Sequence, residues 1–128
     1  MRFLLDTHIV VWAPVSGPRL SRLARAILND TQNDFLFSVV SLWELAIKRG
    51  MGKIDPRIDP RTIRHELLAM GYEELPVRGE HAVEVEVLPP IHKDPFDRLL
   101  VAQATIEGIT LLTVDATVAR YPGPIRKV

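Results

Sequence analysis

The sequence predicts an α/β fold in three layers, with a central, mostly parallel β-sheet flanked by helices. Two observations carry that expectation. Short apolar runs rich in aromatic and β-branched residues recur at Phe3–Leu5, Phe35–Val40 and Ile109–Val114, the pattern of strands buried on both faces. Between them lie segments of helical periodicity, and alternating strand and helix signals imply right-handed crossovers on a parallel sheet.

The first strand, Phe3-Leu4-Leu5, stops at Asp6-Thr7, which places Asp6 at the carboxyl edge of a central strand. Ile9 to Trp12 continue apolar into the Pro14-Val15-Ser16-Gly17-Pro18 loop. From Ser21 to Leu28, Leu23, Ala24, Ile27 and Leu28 recur at helical spacing, and Asn29-Asp30 ends the pattern.

The second strand, 35–40, leads into Ser41-Leu42-Trp43-Glu44, which has the form of a capping box with Ser41 as N-cap and Glu44 three residues on. From Lys48 to His65, six basic residues face only Asp55 and Asp59, the one basic concentration in the chain. A solvated helical exterior explains it as readily as a phosphate-binding surface. A helix over 62–70 ends at Gly71, a short edge strand falls within 72–77, and a further helix runs over 79–88 before Pro89-Pro90.

In His92-Lys93-Asp94-Pro95-Phe96-Asp97, Pro95 suits the first helical position and Asp94 the N-cap, so Asp97 is the third helical residue, beside the unpaired N–H groups. Gly108 ends that helix. The strand at 109–114 stops at Asp115, which can cap a segment over 116–121, and Ile125–Val128 forms a short last strand after Pro122-Gly123-Pro124.

Composition narrows the chemistry. At 128 residues the chain is expected to form one domain, residues 1–128, large enough to bury a core without covalent staples. It has no cysteine, which excludes disulfides and thiolate metal sites and suits a cytoplasmic setting. Sixteen basic residues balance sixteen acidic ones, so no global field draws nucleic acid or an anionic membrane, and the first apolar run is too short for a signal peptide or membrane span.

Each of Asp6, Glu44, Asp97 and Asp115 has a bland explanation as a helix cap, because acids in a first helical turn satisfy free donors and favour the dipole. All four nevertheless fall where a strand meets a helix, at the edge where parallel sheets bind ligands. Carboxylates crowded there repel, and protons or a cation must offset them. Oxygen ligands without cysteine and without a repeated histidine pattern favour Mg²⁺ or Mn²⁺ over zinc.

The segments Leu4-Leu5-Asp6-Thr7-His8, Ser41-Leu42-Trp43-Glu44-Leu45-Ala46-Ile47-Lys48, His92-Lys93-Asp94-Pro95-Phe96-Asp97-Arg98 and Leu111-Leu112-Thr113-Val114-Asp115, in that order, closely resemble the PIN-domain family, and within it the VapC toxins. The likeness spans nearly the whole chain and implies a three-layer PIN-like fold. It also implies a Mg²⁺- or Mn²⁺-dependent endoribonuclease that cuts an RNA phosphodiester by in-line attack of water, leaving a 5′-phosphate and a 3′-hydroxyl. On matching positions Asp6, Glu44, Asp97 and Asp115 form the acidic quartet. The resemblance implies that Asp6, Asp97 and Asp115 are metal ligands, directly or through water, and that Glu44 binds metal or positions the attacking water.

The resemblance also makes Thr7 and Thr113 supporting hydroxyls, and Asp94 is expected to cap and orient the helix that carries Asp97. The resemblance further implies a cognate VapB-type antitoxin, contact with operator DNA only through that antitoxin, and a homodimer. His8 and His92 lie in the resembling motifs but have no ligand spacing and stay outside the expected site. Arg98 either contacts phosphate or pairs with an acid, and Trp12 and Trp43 are expected to pack rather than to stack on bases, or, where partly exposed, to anchor the antitoxin. Two rivals remain: a catalytically silent PIN-like module in which the acids cap helices, and a phosphohydrolase or receiver domain, which fits poorly because Asp6-Thr7-His8 lacks a second aspartate two residues on.

Overall fold

The computed structural model describes all residues, 1–128. Five strands, β1 (Arg2–Leu5), β2 (Asp34–Ser38), β3 (Glu73–Leu75), β4 (Thr110–Thr113) and β5 (Ile125–Lys127), form one sheet in the order β3-β2-β1-β4-β5. Every neighbouring pair is parallel. Six helices connect them: α1 (Thr7–Trp12), α2 (Arg22–Asn29), α3 (Val39–Gly50), α4 (Pro60–Ala69), α5 (Gly79–Glu84) and α6 (Pro95–Glu107). No helix is long and apolar enough to cross a membrane.

Strand alternation divides the core between the two faces of the sheet. Phe3, Leu5, Phe35, Phe37 and Leu112 point to one face, where Ile9 and Val10 of α1, Ala24 and Ile27 of α2 and Leu67 of α4 cover them. Leu4, Leu36 and Leu111 point to the other, against Leu100, Val101 and Ala104 of α6. With helices on both faces, each central strand carries an unbroken apolar run. The chain winds outward from β1 through β2 to β3, then returns to place β4 on the other side of β1. Beyond the carboxyl ends of β1 and β4 the winding direction changes, which opens a crevice of the kind that parallel sheets use for ligands.

Several boundaries differ from the sequence reading. The second strand stops at Ser38, and Val39 and Val40 open α3. The Ser38 hydroxyl accepts the Val40 N–H at 3.0 Å, so Ser38 is the N-cap, Ser41 is the third residue of the helix, and the Ser41–Glu44 capping box is not formed. β-Branched propensity is a weak prior that a buried cap overrides. Residues 116–121 form only a 3-10 turn at Val118–Arg120, and α5 gives way to a 3-10 turn at Val85–Val87. Asp94, Pro95 and Gly108 sit as expected: Asp94 Oδ1 accepts the N–H groups of Phe96 and Asp97 at 2.8 and 3.3 Å, and Gly108 closes α6 in the left-handed conformation at φ 66°.

Candidate active site

Asp6 follows β1 directly and caps α1. Its Oδ1 accepts the Ile9 N–H at 3.0 Å, its Oδ2 accepts the Val114 N–H at 2.9 Å, and its own N–H donates to Leu112 O at 3.0 Å. These bonds fasten β1 to β4 across the crevice and fix a carboxylate that is only 3% exposed. Burial pushes the Asp6 carboxyl above its ordinary value, against the opposing pull of the Ile9 and Val114 N–H groups and the Thr113 hydroxyl.

Glu44 lies in the interior of α3 and is 6% exposed. The Thr7 hydroxyl donates to its Oε1 at 2.7 Å and lies 3.0 Å from the Ser41 hydroxyl. One turn along α3, the Lys48 ammonium pairs with Glu44 Oε2. Burial acts against the Lys48 charge, but Glu44, aided by Asp94 and Asp97, outweighs it and holds the ammonium above its ordinary value.

Asp97 occupies the third position of α6, pinned through the Asp94 cap. Burial, followed by repulsion from Asp94 and Glu44, pushes its carboxyl up to about 7, with Asp6 adding a smaller push and His92 opposing. Asp115 follows β4: its N–H donates to Thr113 Oγ1 at 3.0 Å and its Oδ1 accepts the Thr117 N–H at 2.7 Å. Burial is the largest influence on Asp115 and raises it, yet the N–H groups of Thr117 and Val118 together with His92 hold the carboxyl below its ordinary value.

His92 joins these acids although the sequence reading left it out. Its Nε2 stands 3.3 Å from Asp97 Oδ2 and 3.5 Å from Asp115 Oδ2, and the ligand atoms of His92, Asp97 and Asp115 all lie within 4.8 Å of one another. Its Nδ1 accepts the Asp94 N–H at 3.1 Å, which makes Nε2 the proton-bearing nitrogen of the neutral ring. The backbone N–H of His92 donates to the Tyr121 hydroxyl at 2.9 Å. A signal was present in the sequence: His92 lies two residues before the cap of the Asp97 helix, where a ring nitrogen can meet the cap's own N–H. His8 instead stacks obliquely near Trp12, 5.5 Å between ring centroids.

The four acids therefore fall into two arrangements. Asp97 and Asp115 converge around His92, while Asp6 is engaged with backbone N–H groups and Glu44 with Thr7 and Lys48. Both Asp6 and Glu44 remain near enough for their charges to act on Asp97. Thr113 is fully buried and supports Asp115. Arg98 pairs with no carboxylate: its guanidinium donates to the carbonyls of Pro89, Val85 and Leu88 and to the Tyr121 hydroxyl. Trp43 is 56% exposed, and what it packs against is Phe96, edge-on with ring centroids 5.3 Å apart. Trp12 is half-buried against the core.

The donor set fits a hard divalent cation. It is dominated by carboxylate oxygens, and Asp97, raised first by burial and then by repulsion from Asp94 and Glu44, sits among negative charges that a cation would offset. Fold and site together define an α/β protein with a carboxylate cluster at the switch point of a parallel sheet. The PIN domain family matches residues 3–124, and the chain belongs to that family, whose domains are generally nucleases dependent on divalent metal.

Solved structures share the fold. VapBC2 from Rickettsia felis, bound to a DNA fragment from its promoter, is 20% identical with a TM-score of 0.68, covering 99% of this chain and 98% of that one. DNA-bound VapBC from Salmonella typhimurium is 18% identical with a TM-score of 0.65, covering 99% and 98%. VapBC-5 from Mycobacterium tuberculosis is 17% identical with a TM-score of 0.59, covering 99% and 97%. No curated protein sequence matches the chain significantly.

Proposed function

We propose that this chain is the toxin of a VapBC-type toxin–antitoxin pair, acting in the cytoplasm as a Mg²⁺- or Mn²⁺-dependent endoribonuclease. The observation that carries the reading is the convergence of Asp97 and Asp115 on His92 at the switch point, their ligand atoms all within 4.8 Å of one another. Membership of the PIN family and the likeness to VapBC structures support it.

Asp97, Asp115 and Asp6 would hold the cation, directly or through water, with Glu44 close by. When bound, such an ion supplies polarisation of a phosphoryl oxygen and compensation for the crowded carboxylates. Glu44, held by the Thr7 hydroxyl and Lys48, orients the attacking water. Thr113 steadies Asp115, Asp94 sets the start of α6, and His92 presents its Nε2 proton between Asp97 and Asp115. Water adds to phosphorus and the bond to the 3′-oxygen breaks, leaving a 3′-hydroxyl and a 5′-phosphate. A single domain of residues 1–128, a homodimer, a VapB-type antitoxin, and operator DNA reached only through that antitoxin complete the proposal.

Purified, antitoxin-free protein is expected to cleave cellular RNA with Mg²⁺ or Mn²⁺, and Asp97→Asn to lower the rate at least about a hundredfold, as the loss of an essential charged group typically does. Absence of cleavage by the wild type, together with no toxicity in cells, would overturn the reading. A catalytically silent module is the second reading, favoured by the backbone bonds that occupy Asp6 and Asp115. Calorimetry separates the two, because a silent module would bind no Mn²⁺ and gain no stability from it.

A further inference from the structure

Arg98, the residue after Asp97, spends its guanidinium on one stretch of main chain. Nη1 donates to Pro89 O and to the Tyr121 hydroxyl, each at 3.0 Å, and Nη2 donates to Val85 O at 2.9 Å and to Leu88 O at 3.4 Å. The stretch from Val85 to His92 passes through Pro89-Pro90 and belongs to no strand, and its prolines have no N–H to bind it by. A planar fork of donors can gather such a row of carbonyls.

Tyr121 completes the arrangement. It is buried, and its ring lies 6.0 Å from the guanidinium carbon of Arg98. Its hydroxyl accepts from Arg98 and from the His92 N–H at 2.9 Å and donates to His92 O at 3.3 Å, so its proton and both lone pairs are used. Tyr121 is tied back to Asp115 by local bonds: Asp115 O accepts the Ala119 N–H and Val118 O accepts the Tyr121 N–H, each at 3.1 Å. Arg98 and Tyr121 thus join the segments that carry Asp97, Asp115 and His92, and they close on the main chain of His92.

We propose that Arg98 and Tyr121 are positioning residues of the acid cluster, fixing the main chain of His92 so that its ring keeps the Nε2 proton between Asp97 and Asp115. The inference rests on the metal-dependent nuclease reading and adds to it the groups that set the site from behind. With its main chain held, His92 accepts the Asp94 N–H on Nδ1 at 3.1 Å, which leaves the proton of the neutral ring on Nε2. There it faces one oxygen of each carboxylate, at 3.3 and 3.5 Å. Holding those oxygens orients both carboxylates toward a cation, the part that groups behind metal ligands commonly play. Arg98 and Tyr121 act on the acids through His92, not by bonds of their own.

Nitrogen NMR of the imidazoles, at one fixed pH where the ring is neutral, reads His92 without metal or RNA. Its signals are those lost in His92→Gln, and the fully buried His81 is the internal reference. Wild type is expected to show a single Nε2–H tautomer at His92. Tyr121→Phe, which removes the hydroxyl and keeps the ring, is expected to mix the two tautomers and leave His81 unchanged. It should also weaken Mn²⁺ binding about tenfold by calorimetry, and lower kcat for RNA cleavage by a similar factor with KM unaltered. Arg98→Lys should behave in the same way, because an ammonium cannot gather the carbonyls and the hydroxyl together. Should the Arg98 variant not fold, Tyr121→Phe carries the test alone.

An unchanged His92 tautomer in Tyr121→Phe, whatever happens to stability, would overturn the proposal, since the contacts would then only hold the fold together. So would mixed tautomers in the wild type, or an Arg98→Lys protein indistinguishable from it. The two readings fail separately. A His92 tautomer that depends on Tyr121, in a protein that neither binds Mn²⁺ nor cuts RNA, would sink the nuclease and leave the positioning role. Cleavage at full rate with unaltered Mn²⁺ affinity in Tyr121→Phe would sink the positioning role and leave the nuclease.

Discussion

The Nε2 of His92 stands 3.3 Å from Asp97 Oδ2, with Asp115 Oδ2 a further contact at 3.5 Å. Because Nδ1 is occupied by the Asp94 N–H, the ring turns a proton toward both carboxylates. A single imidazole therefore links the start of α6 to the end of β4 and partly offsets the charge of the two acids.

Replacing His92 by Ala removes the influence that opposes burial and repulsion at Asp97. The Asp97 carboxyl is then expected to hold its proton to a pH above about 7 in metal-free protein. Carbon NMR titration of the side-chain carboxyl measures this, and a value that falls in the variant would contradict the geometry.

The contribution of Asp97 to the stability of metal-free protein should fall as the pH rises from acid to neutral, against the depressed Asp115, which acts in the other direction. Asp97 is ordinarily a carboxyl of 3.8 and stands at about 7 in the folded chain, so the folded state binds its proton more tightly. Its stabilising effect is fully present below about pH 4 and is lost as the pH rises through about 7, with tenfold tighter proton binding worth about 1.4 kcal/mol. Asp6, also raised, acts in the same direction. Urea unfolding midpoints with chelator across pH 4 to 8 give the curve, and a rising curve would contradict it once the other groups are accounted for by the Asp97→Asn protein.

Divalent cation should reverse that loss. At pH 8, Mn²⁺ is expected to raise the melting temperature of wild type, while Asp97→Asn starts more stable without metal and gains less from it, since its repulsion is already gone. Equal gains in the two proteins would show that the ion binds elsewhere.

Ser38→Ala tests the frame beneath the site. The fully buried Ser38 hydroxyl caps α3 and lies 2.5 Å from Gln103 Oε1 of α6, joining the two helices that carry Glu44 and Asp97. Its loss leaves a buried amide oxygen without a donor and a helix without its cap, for a cost of about 2 kcal/mol in urea unfolding. A change below about 0.5 kcal/mol would mean that the bond contributes little.

The sequence by itself determined the alternation of strands and helices, the parallel sheet and the placing of Asp6, Asp97 and Asp115 at strand or helix ends. Those features are local: apolar runs, an Asp-Pro cap and a terminal glycine act within a few residues of one another. The tertiary structure decided what depends on contacts distant in sequence. Whether Ser38 or Ser41 caps α3 rested on where β2 stops pairing with β3 and on Gln103, 65 residues away. His92 entered the site only because β4 carries Asp115 alongside the start of α6, and Trp43 stayed in solvent because α3 turns Glu44 and Leu45, not Trp43, toward the interior. The pKa of Asp97 is the clearest instance, since spacing can place a carboxylate at a helix start but only packing brings burial and the charges of Asp94, Glu44 and Asp6 together around it.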